Sequence, residues 1–134
     1  MRRVGIDTNV LLRLLVDDDP AQRERAMRFG QRLNVEVTGL VTIVSLLEID
    51  WALRSQYGYT KFQSMDAIRQ IVSLRGVAID NHDVVVRAIG LVRDRNADFA
   101  DALIAGLSTE LDCDATVTLD RRAARAVPGM ELLA

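Results

Sequence analysis

The stretch Val4-Gly5-Ile6-Asp7-Thr8-Asn9-Val10-Leu11-Leu12 joins a short apolar run to a helical pattern through three polar residues. Residues 4–6 are predicted to form a buried strand. Asp7 or Thr8 can cap a helix over residues 9–16, because a short oxygen-bearing side chain satisfies free N–H groups of a first helical turn. A strand that leads directly into a helix is typical of α/β proteins. The stretch therefore predicts an α/β fold in which an acid follows the first strand.

The rest of the chain repeats this alternation. Helices are predicted over residues 20–33, 41–55, 60–74, 83–93, 99–111 and 121–126, and strands over residues 35–38, 77–79, 115–119 and 130–133. Gly39 is expected to end the second strand. Alternating strands and helices form parallel sheets covered by helices on both faces. Ligands bind such sheets beyond the carboxyl ends of the strands, which is where Asp7 and Asp120 fall in the sequence.

Two helix starts carry specific local signals. Asp19 precedes Pro20, which is the pattern of an N-cap followed by proline at the first helical position. Thr60 and Gln63 have the spacing of a capping box, in which each side chain bonds the backbone N–H of the other residue. Helices are therefore expected to begin at both places.

Composition predicts one ordinary domain over residues 1–134, with 49% hydrophobic and 27% charged residues. The net charge of −2 gives no basic field that would indicate nucleic acid. Cys113 is the only cysteine and His82 the only histidine, so an internal disulfide is excluded and histidine-based catalysis is disfavoured. No stretch approaches the ~20 apolar residues of a membrane span. A cytoplasmic protein without a membrane partner is expected.

Four acids stand in four separate segments of the chain: Asp7, Glu48, Asp101 and Asp120. Glu48 interrupts an otherwise apolar helix, and a glutamate is seldom buried without a partner. Carboxylates that a fold brings together repel one another unless a cation lies between them. Hard oxygen ligands without paired His or Cys suit Mg²⁺ or Mn²⁺. The pattern indicates metal-dependent phosphoryl chemistry.

Each of these acids also has a structural interpretation. Asp7 and Asp120 can be N-caps, and Glu48 can belong to a solvent-facing stripe of its helix. Asp98 and Asp101 lie three residues apart, and capping is the better interpretation for Asp98.

Four neighbouring polar residues can support the acids. Asn9 can hydrogen-bond and orient Asp7. Thr118 precedes Asp120 by two residues on a strand and can bond a carboxylate. Arg121 and Arg122 adjoin that acid and can hold a polyanion, although a solvated helix face explains them equally well.

Four segments together resemble the PIN-domain ribonucleases, and specifically the VapC-type toxins of bacterial toxin–antitoxin pairs. The segments are Ile6-Asp7-Thr8-Asn9-Val10-Leu11-Leu12, Leu46-Leu47-Glu48, Asp98-Phe99-Ala100-Asp101-Ala102-Leu103-Ile104-Ala105 and Thr116-Val117-Thr118-Leu119-Asp120-Arg121. The resemblance covers essentially the whole chain. It implies a three-layer α/β/α sandwich around a parallel sheet of five strands, a homodimer, and a small VapB-like antitoxin that blocks the active site.

The resemblance also implies roles for individual residues. Asp7, Glu48, Asp101 and Asp120 match the acidic catalytic and metal-binding positions, Asn9 and Thr118 match supporting positions, and Asp98 matches a further acid whose role as ligand or cap stays open. Arg121 and Arg122 are candidates for RNA contact. The predicted function is a Mg²⁺-dependent endoribonuclease that cleaves RNA with metal-activated water.

Two other functions fit parts of the sequence. A metal-dependent phosphatase or a receiver-type phospho-acceptor would use similar acids, but a receiver needs a lysine after a late strand, and the only lysine is Lys61. A catalytically silent PIN-fold module that binds RNA or protein would keep the fold without the reaction. The intact set of four acids argues against the silent module.

Overall fold

Three parallel strands form the sheet of the first unit of the chain. They are β1 (Arg2–Gly5), β2 (Val37–Val41) and β3 (Val77–Ile79), with β2 in the centre. Arg2 lies opposite Val37 in the first pair, and Gly39 lies opposite Val77 in the second. The computed structural model describes residues 1–134, and this sheet belongs to the unit Met1–His82.

The same unit contains four helices, namely α1 (Thr8–Leu15), α2 (Pro20–Arg32), α3 (Ile43–Gln56) and α4 (Lys61–Val72). Helix α1 packs against α2 and α3, and α3 packs against α4. Leu46, Leu53 and Ile68 are completely buried between these elements. Burial of one such side chain stabilises a fold by about 1.5–3 kcal/mol, so these contacts fix the helices that carry the acids.

The second unit, Asp83–Ala134, contains a separate pair of strands. Its elements are α5 (His82–Arg95), α6 (Phe99–Glu110), β4 (Thr116–Thr118), α7 (Arg121–Ala126) and β5 (Met130–Leu132). Strands β4 and β5 are parallel, with Thr116 opposite Met130. One cluster of buried side chains in this unit contains Ala97, Ala105, Ala123, Val127 and Met130.

The predicted α/β class is confirmed, and all five strands pair in parallel, as expected. The expectation of one five-stranded sheet is wrong, because the strands divide between a three-stranded and a two-stranded sheet. Strands β3, β4 and β5 have only three residues each. Such short strands carry few local signals of pairing, so the sequence predicted their existence better than their partners. The single domain over residues 1–134 stays a prediction.

The boundaries of β2 differ most from the prediction. The strand was expected over residues 35–38 with Gly39 as its end, whereas Gly39 is the middle residue of the observed strand. A β-carbon at Gly39 would lie 2.4 Å from Cδ1 of Ile6, so glycine permits a close approach rather than a turn. The strand ends where the Oγ1 atom of Thr42 accepts the backbone N–H of Ser45 and caps α3.

The other predicted elements are all present, and none of their ends shifts by more than two residues. The two local helix-start signals are confirmed. Asp19 accepts the backbone N–H of Gln22 ahead of Pro20, and Thr60 and Gln63 form both hydrogen bonds of a capping box. None of the helices combines the length and the apolar character that crossing a bilayer would require.

Candidate functional site

A threonine connects the first two acids. Asp7 caps α1, and its Oδ1 atom accepts the backbone N–H of Thr8 at 2.7 Å. The Thr8 hydroxyl donates to Oε1 of Glu48 at 2.8 Å. The start of α1 and the middle of α3 are therefore joined by a side-chain hydrogen bond, and the second carboxylate oxygen of Glu48 stays available for another partner.

Sequence reasoning missed the role of Thr8. It considered this residue only as an alternative helix cap, because its contact with Glu48 spans 40 positions of the chain. The only available signal was its position next to an acid at the end of a strand. Glu48 itself lies on an exposed face of α3, as the interpretation of a solvent-facing stripe predicted. An exposed carboxylate is also accessible to a ligand.

Asp7 and Asn9 line a cavity of about 520 Å³ beside α1 and α2. Arg13, Gln22, Arg25 and Phe29 contribute to its other walls, together with Gly5, Ile6, Val10 and Ala26. Asn9 makes no hydrogen bond to Asp7, so the predicted orienting contact is absent from this structure. Asn9 nevertheless borders the same space as the carboxylate that it was expected to support.

The second unit brings three acids close enough to interact. Asp98 caps α6, because its Oδ2 atom accepts the backbone N–H of Asp101 at 3.1 Å. Partial burial raises the pKa of Asp101 above its ordinary value, and the negative charges of Asp98 and Asp120 raise this pKa further. The capping role predicted for Asp98 is confirmed, and burial together with the two neighbouring charges disfavours the ionised form of Asp101.

Asp120 and Thr118 interact through the backbone. The Oδ1 atom of Asp120 accepts the backbone N–H groups of Arg122 at 2.8 Å and of Ala123 at 3.2 Å, so this residue caps α7. The Oγ1 atom of Thr118 accepts the backbone N–H of Asp120 at 3.0 Å. Thr118 therefore holds the main chain of the acid, whereas a bond to a carboxylate was expected. This hydrogen bond still fixes the main chain at Asp120, the N-cap of α7.

Arg121 and Arg122 are both exposed, and neither forms an ion pair with an acid. Their guanidinium groups are therefore not neutralised within the protein. Arginine of this kind suits phosphate groups because its planar fork can donate two parallel hydrogen bonds.

The acids offer oxygen ligands of the kind that hard divalent cations prefer. Repulsion among Asp98, Asp101 and Asp120 is relieved when a cation binds, so the donor chemistry fits such an ion. The structure has no group of three or more His, Cys, Asp or Glu side chains placed to share one metal ion. The metal site therefore stays a prediction that rests on the chemistry of the donors.

The chain belongs to the PIN domain family. Residues 4–128 match this family, so the match covers nearly the whole chain and includes all the acids described above. PIN domains are generally nucleases, and PIN nucleases typically use divalent metals. The family membership predicted from the four sequence segments is confirmed.

Two solved structures are similar to this chain over nearly its full length. One is VapBC2 from Rickettsia felis bound to a DNA fragment from its promoter, with 12% identity, a TM-score of 0.37, and coverage of 99% of this chain and 98% of that chain. The other is a toxin–antitoxin complex from Klebsiella pneumoniae, with 15% identity, a TM-score of 0.35, and coverage of 98% of this chain and 96% of that chain. Among curated proteins, none matches this chain.

Proposed function

We propose that this PIN-domain protein is a Mg²⁺-dependent endoribonuclease that acts as the toxin of a toxin–antitoxin pair. The observation that carries the proposal is the PIN family match over residues 4–128, because members of this family are generally nucleases. The acids of the chain lie at positions that resemble the catalytic acids of VapC-type toxins. Burial and then the charges of Asp98 and Asp120 raise the pKa of Asp101, and a carboxyl group perturbed in this way is typical of functional sites.

In this proposal, Asp7, Glu48, Asp101 and Asp120 hold Mg²⁺ or Mn²⁺, and Asp98 is a fifth candidate that also caps α6. A bound divalent cation would supply Lewis-acid activation of water and would neutralise charge on the attacked phosphate. Manganese fits the same oxygen ligands as magnesium.

The supporting residues keep the acids in position. Thr8 fixes the carboxylate of Glu48 through its hydroxyl, and Thr118 fixes the backbone of Asp120. Asn9 borders the cavity beside Asp7 and is assigned to the same site by the sequence resemblance. Arg121 and Arg122, which are exposed and unpaired, would bind RNA phosphates and orient the strand.

The expected products carry a 5′-phosphate and a 3′-hydroxyl. Attack by the 2′-hydroxyl would need a general base and a general acid beside the scissile phosphate. His82 is the only histidine of the chain, it lies at the start of α5, and no step of the proposed reaction uses it. Water is therefore the proposed nucleophile, and the 3′ oxygen leaves.

Cleavage of a single-stranded RNA tests the enzyme proposal. Activity is expected with Mg²⁺ or Mn²⁺ and should stop when EDTA is added, and the products should be ligatable through their 5′-phosphates. His82→Ala serves as a control that should cleave at nearly the wild-type rate. Activity that persists in EDTA would overturn the metal mechanism. RNA binding without cleavage under any metal condition would instead support a silent PIN-fold module.

The toxin role has a separate test. Helix α2 exposes an apolar side chain next to an arginine, at Met27 and Arg28, and an amphipathic segment of a partner can cover such a surface. A short reading frame next to the gene is expected to encode the antitoxin. Its product should co-purify as a complex with a dimer of this chain and restore growth after induction. If it does neither, the toxin role is wrong even if the nuclease activity is present.

A further inference from the structure

One face of α3 presents an aromatic ring next to a proposed catalytic acid. Val44, Glu48 and Trp51 follow each other on this face at intervals of four and three residues. Trp51 is 64% exposed and Val44 is 67% exposed, whereas Leu46 and Leu53 on the opposite side are completely buried. Trp51 is the only tryptophan of the chain, and its exposed ring lies on the same helix face as the carboxylate of Glu48.

The helix geometry sets the distance between this ring and the acid. Residues three positions apart are neighbours on a helix surface, with a rise of about 4.5 Å between them. With a cation between Glu48 and a phosphate of the strand, as in the proposed function, a base that flanks this phosphate would lie near the helix face that carries Trp51.

We propose that Trp51 is a stacking platform for a base that flanks the scissile phosphate of a single-stranded RNA. This inference rests on the proposed nuclease function, and it adds that the substrate strand is unpaired at the site. Bases that are not held in a duplex stack on aromatic side chains, and every base has a π-face that can do so. Trp51 thus binds the substrate with little dependence on which base it meets.

The composition of the face favours RNA over a protein partner. Glu48 lies between Val44 and Trp51, and Thr8 satisfies only one of its two carboxylate oxygens. A protein surface that covered both apolar residues would also cover this carboxylate and would have to supply a cation for it, because removing an unpaired charge from water is costly. A stacked base covers the ring of Trp51 alone and leaves the edge beside Glu48 open to water and ions.

The single tryptophan makes binding directly measurable. Asp101→Asn provides a background in which the RNA should stay intact. A single-stranded oligoribonucleotide should quench the fluorescence of this variant in a saturable way, because the base contacts the indole. The same sequence annealed into a duplex should quench it much less, since its bases are already stacked. Equal quenching by both forms would overturn the proposal.

Cleavage kinetics separate stacking from general apolar contact. Trp51→Leu keeps an apolar side chain without a ring and should raise KM about five- to hundredfold, which corresponds to the loss of one stacked base, with a smaller change in kcat. Trp51→Phe keeps a ring and should recover most of the loss. Phe62→Leu is the matched control, because Phe62 is an exposed aromatic residue of α4 whose ring already lies 5.8 Å from Nζ of Lys61. Its KM should stay at the wild-type value.

The possible failures are distinguishable. If the wild type cleaves RNA and Trp51→Leu keeps the same KM, the stacking role is wrong and the nuclease function stands. If Trp51→Leu changes the oligomeric state in sedimentation while its KM is unchanged, this face contacts a second copy and the stacking role is again wrong. If single strands quench Trp51 but are never cleaved, the stacking role stands and the nuclease function fails.

Discussion

Asp101 lies in the first turn of α6, partly buried beside two other carboxylates. Burial and the charges of Asp98 and Asp120 raise its pKa when the chain is folded, whereas in the unfolded chain it ionises near the ordinary value of about 3.9. At any pH between these two pKa values, the folded chain therefore binds more protons than the unfolded chain does. The resulting contribution to stability is complete below the unfolded pKa and is lost as the pH rises through the folded pKa.

Asp101→Asn removes this carboxylate and keeps its shape, and we expect it to abolish cleavage. In EDTA near pH 7 the variant should melt at a higher temperature than the wild type, and the difference should vanish near pH 3, where both side chains are uncharged. Thermal melts at both pH values measure this. Asp98→Asn, which keeps an N-cap and removes one neighbouring charge, should also melt higher at neutral pH. An Asp101→Asn variant that melts well below the wild type would identify Asp101 as a stabilising cap or ion-pair partner.

Thr8 offers a second test at the level of one side chain. Thr8→Val has nearly the same shape but cannot donate to Oε1 of Glu48. We expect kcat to fall about tenfold, which is the lower range for loss of a hydrogen bond to a charged group. Thr8→Ser keeps the hydroxyl and should retain most of the activity. If the valine variant cleaves at the wild-type rate, the position of Glu48 does not depend on Thr8.

At the scale of elements, the central strand β2 depends on Gly39. An added β-carbon there would lie 2.4 Å from Cδ1 and 3.1 Å from Cγ1 of Ile6, a residue that is 6% exposed. Gly39→Ala should therefore lower the free energy of unfolding by about 1–3 kcal/mol, as overpacking of a core does. Because Ile6 directly precedes Asp7, cleavage should fall as well.

Gly5→Ala is the matched control for this strand contact. A β-carbon at Gly5 of β1 would meet no atom within 4 Å, so the substitution should leave stability unchanged or raise it slightly. Urea unfolding of the two variants compares them directly. Equal urea midpoints for Gly39→Ala and Gly5→Ala would show that the side chain of Ile6 can move away from position 39 without a loss of stability.

The elements were predictable from sequence wherever local chemistry defines them. The capping box of Thr60 and Gln63 involves residues three positions apart, and its prediction is confirmed. The role of Gly39 was mispredicted because it depends on Ile6, which lies far away in sequence and beside β2 in space. The bond from Thr8 to Glu48 was missed for the same reason. Pairing of the strands into two sheets is also a long-range property, which local patterns do not encode.

At the scale of the whole molecule, a bound cation should stabilise the folded chain by mass action. A ligand that binds only the folded state adds about 2.7 kcal/mol to the free energy of unfolding at a hundredfold excess over its dissociation constant. The wild type should therefore melt at a higher temperature in Mg²⁺ than in EDTA. Potassium chloride at equal ionic strength controls for screening of the carboxylates, since screening alone also reduces their repulsion.

Two variants decide whether this gain comes from the proposed ligands. Asp101→Asn loses one proposed ligand, so Mg²⁺ should raise its melting temperature less than it raises that of the wild type. Asp112→Asn removes an exposed acid that has no proposed role, and its backbone φ of 65° is one that asparagine also adopts readily. Mg²⁺ should raise the melting temperature of this control as much as it raises that of the wild type. If Mg²⁺ raises all three melting temperatures equally, Asp101 is not a metal ligand, because the stabilisation would then come from a site that does not include it.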